Sequence, residues 1–93
     1  MKITYTPEAV SDLTRLREFI EQKNPKAAQR IAAELIQGIT QLKEFPYMGF
    51  EVAEAPDPKV IRDLVLGKYI ARYFVYEKKV HILRLWHHKE QRL

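Results

Sequence analysis

The sequence predicts an α+β domain with the order β-α-α-β-β-β, a helical hairpin packed on one face of a mainly antiparallel sheet. Three observations predict it. Two stretches in the first half repeat apolar residues at helical spacing, and the Asn24-Pro25 dipeptide divides them. Three runs in the second half are dominated by β-branched and aromatic residues. A short β-like run, Lys2 to Tyr5, precedes the first helix.

The elements follow in order. Thr6 is a good N-cap, Pro7 suits the first helical position and Glu8 the positive helix end. Val10, Leu13, Leu16, Phe19 and Ile20 then form the expected apolar stripe. Asn24 and Pro25 break this helix and start the next as cap and first residue. The second stripe is Ala28, Ile31, Ala32, Leu35, Ile39 and Leu42, and the short connection makes an αα-hairpin. Phe45-Pro46 ends the second helix, with Phe45, Pro46 and Met48 expected to pack on the core and Tyr47 open to either role. The Gly- and Pro-containing segment up to Lys59 reads as a loop with a short extended piece near Glu51 to Ala53. Strands are predicted over Val60–Leu66, Tyr69–Glu77 and Val80–Trp86.

At 93 residues the chain fits one domain, 1–93, and its 46% hydrophobic content argues against disorder. There is no cysteine, hence no disulfide or thiolate chemistry. No apolar run reaches the length of a membrane span, and "MKITYTPEAV" lacks the apolar core of a signal peptide, so a soluble, cytoplasmic protein is expected. A net charge of +4 favours nucleic acid, ribosome or an acidic protein as partner, without any basic tail.

Register sharpens this. Gly67-Lys68 fits a two-residue hairpin turn, which pairs Leu66 with Tyr69, Asp63 with Arg72 and Arg62 with Tyr73. A three-residue loop, Glu77 to Lys79, would pair Tyr76 with Val80, Phe74 with Ile82 and Arg72 with Arg84. One face then carries Leu64, Leu66, Ala71, Tyr73, Val75, Leu83 and Leu85 and belongs under the helices. The other carries Ile61, Val65, Ile70, Phe74, Ile82 and Trp86 around Asp63, Arg72 and Arg84, a mixed patch of the kind that meets a partner. Adjacent arginines repel. Either Asp63 bridges to Arg72 while Arg84 extends into water, or the pair awaits a carboxylate or phosphate, which guanidinium binds bidentately.

The pieces "YTPEAVSDL", "LKEFPYMG", "IRDLVLGKYIARYFV" and "VHILRLWHHKEQR", in this order, resemble the RelE/ParE superfamily of type II toxins, over nearly the whole chain. The resemblance implies a toxin neutralised by a cognate antitoxin protein, with DNA reached only indirectly through that antitoxin. It also implies one of two targets. RelE-like members are ribosome-dependent mRNA endoribonucleases, and ParE-like members inhibit DNA gyrase without a known catalytic centre. The nuclease pattern Y-R-L-V-Y is matched here by "YIARY", with Ile70 at the arginine's place, and no tyrosine follows Tyr76. The "FPYMG" piece and the ending, with His88 and Arg92, are similar to the ParE branch, so gyrase is the first expectation.

The residues expected to meet antitoxin or target are Asp63, Ile70, Arg72, Phe74, Arg84, Trp86, His88 and Arg92. A nuclease would instead rely on Arg72, Arg84, His87, His88 and Arg92, since RNA cleavage needs a base, an acid and phosphate-binding charge. Against that, His87 and His88 fit an ordinary solvated strand end. No cofactor or metal is expected: His81, His87 and His88 lack metal-site spacing. A third possibility is an inactive toxin homologue retained as an antitoxin-binding partner.

Overall fold

The computed structural model describes residues 1–57 and 60–90. Strand β1 (Lys2–Tyr5) leads into α1 (Pro7–Lys23) and α2 (Pro25–Thr40), and a 3-10 turn (Gln41–Lys43) closes the helical layer. Strands β2 (Phe50–Glu51), β3 (Ile61–Leu66), β4 (Tyr69–Tyr76) and β5 (Lys79–His87) follow. The sheet order is β1-β5-β4-β3-β2, with β1 parallel to β5 and every other pair antiparallel.

Local chemistry sets the helix ends. Thr6 Oγ1 accepts the Ala9 N–H at 3.1 Å, with Pro7 in the first turn. Asn24 serves two helices. Its N–H donates to the Ile20 carbonyl at 2.8 Å, and its side-chain oxygen accepts the Ala27 N–H at 3.1 Å. The hairpin is therefore joined by a single residue. The buried stripe of α1 is turned about one position from the expected one. Ala9, Asp12 and Leu16 are buried, Leu13 and Ile20 half-buried, while Val10 and Phe19 are exposed. The reason is Asp12, whose carboxylate must face the sheet.

Between helices and sheet lies a core of Leu16, Ile39, Leu42, Leu64, Ala71, Tyr73, Val80, Ile82 and Leu85. Each fully buried aliphatic side chain contributes about 1.5–3 kcal/mol relative to exposure. The first hairpin has the expected register, Leu66↔Tyr69 through Arg62↔Tyr73. Gly67 sits at φ +61°, as a turn that needs glycine first requires.

The second hairpin departs from expectation. Its turn has two residues, Glu77 and Lys78, at φ +50° and +61°, the mirror-image turn that matches strand twist. Tyr76 therefore pairs with Lys79, Phe74 with His81 and Tyr73 with Ile82. A bulge then inserts Leu83, so that Arg72 still faces Arg84. Ile82, expected on the outer face, is fully buried under the helices, and Leu83, expected in the core, is half-buried at the bulge. Phe45 and Met48, expected to pack on the core, are exposed. The extended piece is Phe50–Glu51, an added edge strand beside β3.

Lys78 occupies the left-handed region, which costs a non-glycine residue about 1–2 kcal/mol. Lys78→Gly is expected to stabilise the fold by about 1 kcal/mol after the added chain entropy of glycine, read as a higher urea midpoint at unchanged slope.

Candidate functional site

The sheet face away from the helices carries the row Asp63–Arg72–Arg84 across β3, β4 and β5. Arg72 is held tightly. Its Nε donates to Asp63 Oδ1 at 2.8 Å and its Nη2 to Oδ2 at 2.9 Å, a bidentate fork. The guanidinium also lies 5.2 Å from the centroid of the Trp86 ring. The hydrogen bond to Asp63 raises the Arg72 pKa, against an opposing effect of burial. Ile70 is half-buried opposite the buried Trp86, and Phe74 stacks on the His81 ring at 4.6 Å. Asp63, Ile70, Arg72, Phe74 and Trp86 thus share one face.

Arg84 leaves that group. β1 covers β5 only as far as Ile82, because the chain then turns into α1. The open edge beyond is covered by side chains. Thr6 Oγ1 donates to the Leu83 carbonyl at 2.9 Å, and Arg15 Nη2 to the Leu85 carbonyl at 3.1 Å. Asp12, the one buried charged residue among the described residues, accepts the Leu85 N–H at 2.9 Å. The same carboxylate accepts Arg84 Nε at 2.8 Å and Nη2 at 3.2 Å, and Arg15 Nη2 at 3.3 Å. So Arg84 does not extend unpaired into water, and the two arginines do not share an anion. Each has its own carboxylate.

A second surface lies between α1 and the paired ends of β4 and β5. This open groove of about 600 Å³ is lined by Leu16, Phe19 and Ile20, with Tyr69 and His87 on the sheet side and Arg15, Lys23, Lys89 and Glu90 around it. The chain after β5 folds back here. Glu90 accepts the His87 N–H at 3.0 Å and pairs with Arg15. His87 packs edge-on against Tyr69, and its Nδ1 accepts the Lys89 N–H at 3.1 Å. Burial and then the neighbouring His88 hold the His87 pKa below its usual value, so its neutral form is favoured. His88 donates its N–H to the Lys68 carbonyl at 2.8 Å, at the β3–β4 turn, and its side chain is exposed. Arg92 lies outside the described residues.

Sequence reasoning missed Asp12, Arg15 and Glu90. The available signal was an acidic residue at position 12, between Ala9 and Leu16 on one helical face.

Burial pushes the Asp12 carboxyl up, but hydrogen bonds from Arg84, Leu85 and Arg15 outweigh it and the net pKa is lowered. The ionised form therefore stabilises the fold above the unfolded value near about pH 4, and that stability is lost as pH falls through the lower folded value. Asp12→Ala is expected to cost about 3 kcal/mol, since it strands a buried N–H and Arg84 together. It should also flatten the acid limb of stability against pH. Urea melts from pH 7 down to pH 2 measure both.

A family model described as "ParE toxin of type II toxin-antitoxin system, parDE" matches residues 3–92. Toxin RelE2 of Caulobacter vibrioides is 38% identical over 87 residues, covering 92% of this chain and 93% of that protein. Toxin RelE1 of the same organism is 33% identical over 86 residues, covering 90% and 89%. A solved structure titled "Chromosomal ParDE TA system from P. aeruginosa" shares the fold, with a TM-score of 0.80 at 22% identity over 94% of this chain and 95% of that one. The matched span runs from β1 past the end of β5, and the chain belongs to the ParE toxin family of type II toxin–antitoxin systems.

Proposed function

We propose that this toxin acts by binding and not by chemistry, with DNA gyrase as its target and a cognate antitoxin protein as its inhibitor. The observation that carries the reading is the state of the two sheet arginines. A nuclease arginine must offer its fork to a phosphate in the transition state. Here Arg72 and Arg84 each spend that fork on a carboxylate of the same chain. Ile70, at the place where the nuclease pattern has arginine, has an apolar side chain and packs in the sheet beside Trp86. The basic nitrogen of His87 already accepts a backbone N–H, which leaves the ring without a free acceptor for a substrate proton.

The antitoxin is assigned to the groove on α1. Exposed Phe19 with Leu16 and Ile20 offers apolar area, and Arg15, Lys23 and Lys89 favour acidic side chains on the incoming segment. DNA is then met through the antitoxin and not by this chain. Phe19→Ser with Lys23→Glu, both on the surface, is expected to weaken the antitoxin complex by at least about tenfold, measured by calorimetry, because it removes an aromatic contact and reverses a charge. An unchanged affinity would move the antitoxin elsewhere.

Purified toxin, free of antitoxin and titrated in excess, is expected to abolish gyrase supercoiling or trap cleaved DNA. Folded protein that leaves gyrase untouched but cuts mRNA on ribosomes would establish the endoribonuclease alternative, with Arg72, Arg84, His87, His88 and Arg92 as residues to replace. Antitoxin binding with neither effect would identify an inactive homologue.

A further inference from the structure

The open edge of β5 beyond Ile82 is matched group by group, and its last match differs from the others. Leu83 and Leu85 are served by Thr6, Asp12 and Arg15, from the start of the helical layer. The His87 N–H is served by Glu90, from the turn that follows the strand, at 3.0 Å to Oε1. The other oxygen of that carboxylate, Oε2, accepts from Arg15 Nη1. One backbone N–H and one guanidinium N–H thus converge on a single carboxylate in the α1 groove, which Arg15, His87 and Glu90 all line. A charged acceptor suits both donors.

Arg15 divides its nitrogens between two tasks. Nη2 donates to the Leu85 carbonyl and to Asp12, at 3.1 and 3.3 Å, and so belongs to the fold. Nη1 holds only Glu90 among the described residues. The side chains of Arg15 and Glu90 are 44% and 33% exposed, against 5% for Asp12. An ion pair this open to water contributes little, so one carboxylate can be exchanged for another without loss of the fold.

The surroundings give the chemistry of the exchange partner. Leu16, Phe19 and Ile20 supply apolar area beside the two donors, and Arg15, Lys23 and Lys89 set three cations against the one carboxylate of Glu90. A segment that carries apolar residues and an acidic side chain matches both features. A second copy of this chain, at net charge +4, would meet the basic rim with like charge overall.

We propose that Arg15 Nη1 and the His87 N–H form a carboxylate-binding position, filled from within the chain by Glu90, which an acidic side chain of the antitoxin takes over on binding. This rests on the assignment of the antitoxin to the α1 groove. Glu90 keeps the last N–H of the β5 edge matched in the free toxin, and it competes with the incoming acid.

Two variants outside the core test this. Glu90→Ala removes the competitor. Glu90→Asp keeps the charge, but with one methylene less its reach to both donors is lost. Calorimetry with the cognate antitoxin should show both variants binding about tenfold tighter than wild type. Tightening by Glu90→Ala alone is a general charge effect and overturns the proposal, as does unchanged or weaker binding by both. Stronger gyrase inhibition with unchanged antitoxin affinity gives the position to the target and overturns it too. The groove assignment is checked separately by the Phe19→Ser, Lys23→Glu variant. If that assignment falls, acetate serves as the probe, compared with chloride at equal ionic strength. A shift of the residue 87 amide NMR signal in Glu90→Ala, absent from wild type, keeps the carboxylate position. No shift, or equal shifts in both proteins, removes it.

Discussion

A strand that loses its neighbour partway along must find other partners for its peptide groups, and β5 is in that position. β1 pairs with it from Lys79 to Ile82 only, yet β5 continues to His87. Each buried peptide group left unmatched would cost about 1–3 kcal/mol. The first turns of α1 supply the matches through Thr6, Asp12 and Arg15. Asp12 is central, because one buried carboxylate takes a strand N–H and two guanidinium groups together. This requirement turns α1 about its axis, which buries Asp12 and Leu16 and leaves Phe19 on the surface beside the groove.

The same constraint explains why like charges stand side by side on the sheet. Arg72 and Arg84 face each other, but their forks point to opposite partners, one to Asp63 along the sheet face and one to Asp12 at its edge. The bulge at Leu83 keeps the two arginines opposed after the tight turn has shifted the register. Without it Leu85 would leave the core face. Turn, bulge and edge carboxylate therefore act as one unit.

Two exposed apolar surfaces differ in chemistry. The groove on α1 is apolar with a basic rim. The Phe45–Phe50 segment is apolar, nearly neutral at its flanks and pinned by Arg62 and Tyr73. On the outer face, the Asp63–Arg72 pair ties β3 to β4, while Arg84 ties β5 to α1 through Asp12.

The helix caps, the αα-hairpin, the first β-hairpin and the family were all legible in the sequence, because each rests on residues a few positions apart or on motif order. Thr6-Pro7 and Asn24-Pro25 cap helices wherever the rest of the chain goes, and Gly67 at φ +61° determines a turn by itself. Three things were decided only in the tertiary structure. The Glu77-Lys78 turn uses φ values that neither residue prefers, so strand pairing and not local propensity selected it. The partner of Arg84 is 72 residues away in sequence, and its choice depends on where β1 stops. Phe45 and Met48 lie outside because the space beneath their loop is taken by Gly49, Tyr73 and Arg62. Local hydrogen bonding and periodicity act within a few residues and can be read along the chain, whereas the occupant of a shared edge or a filled space depends on elements that meet only after folding.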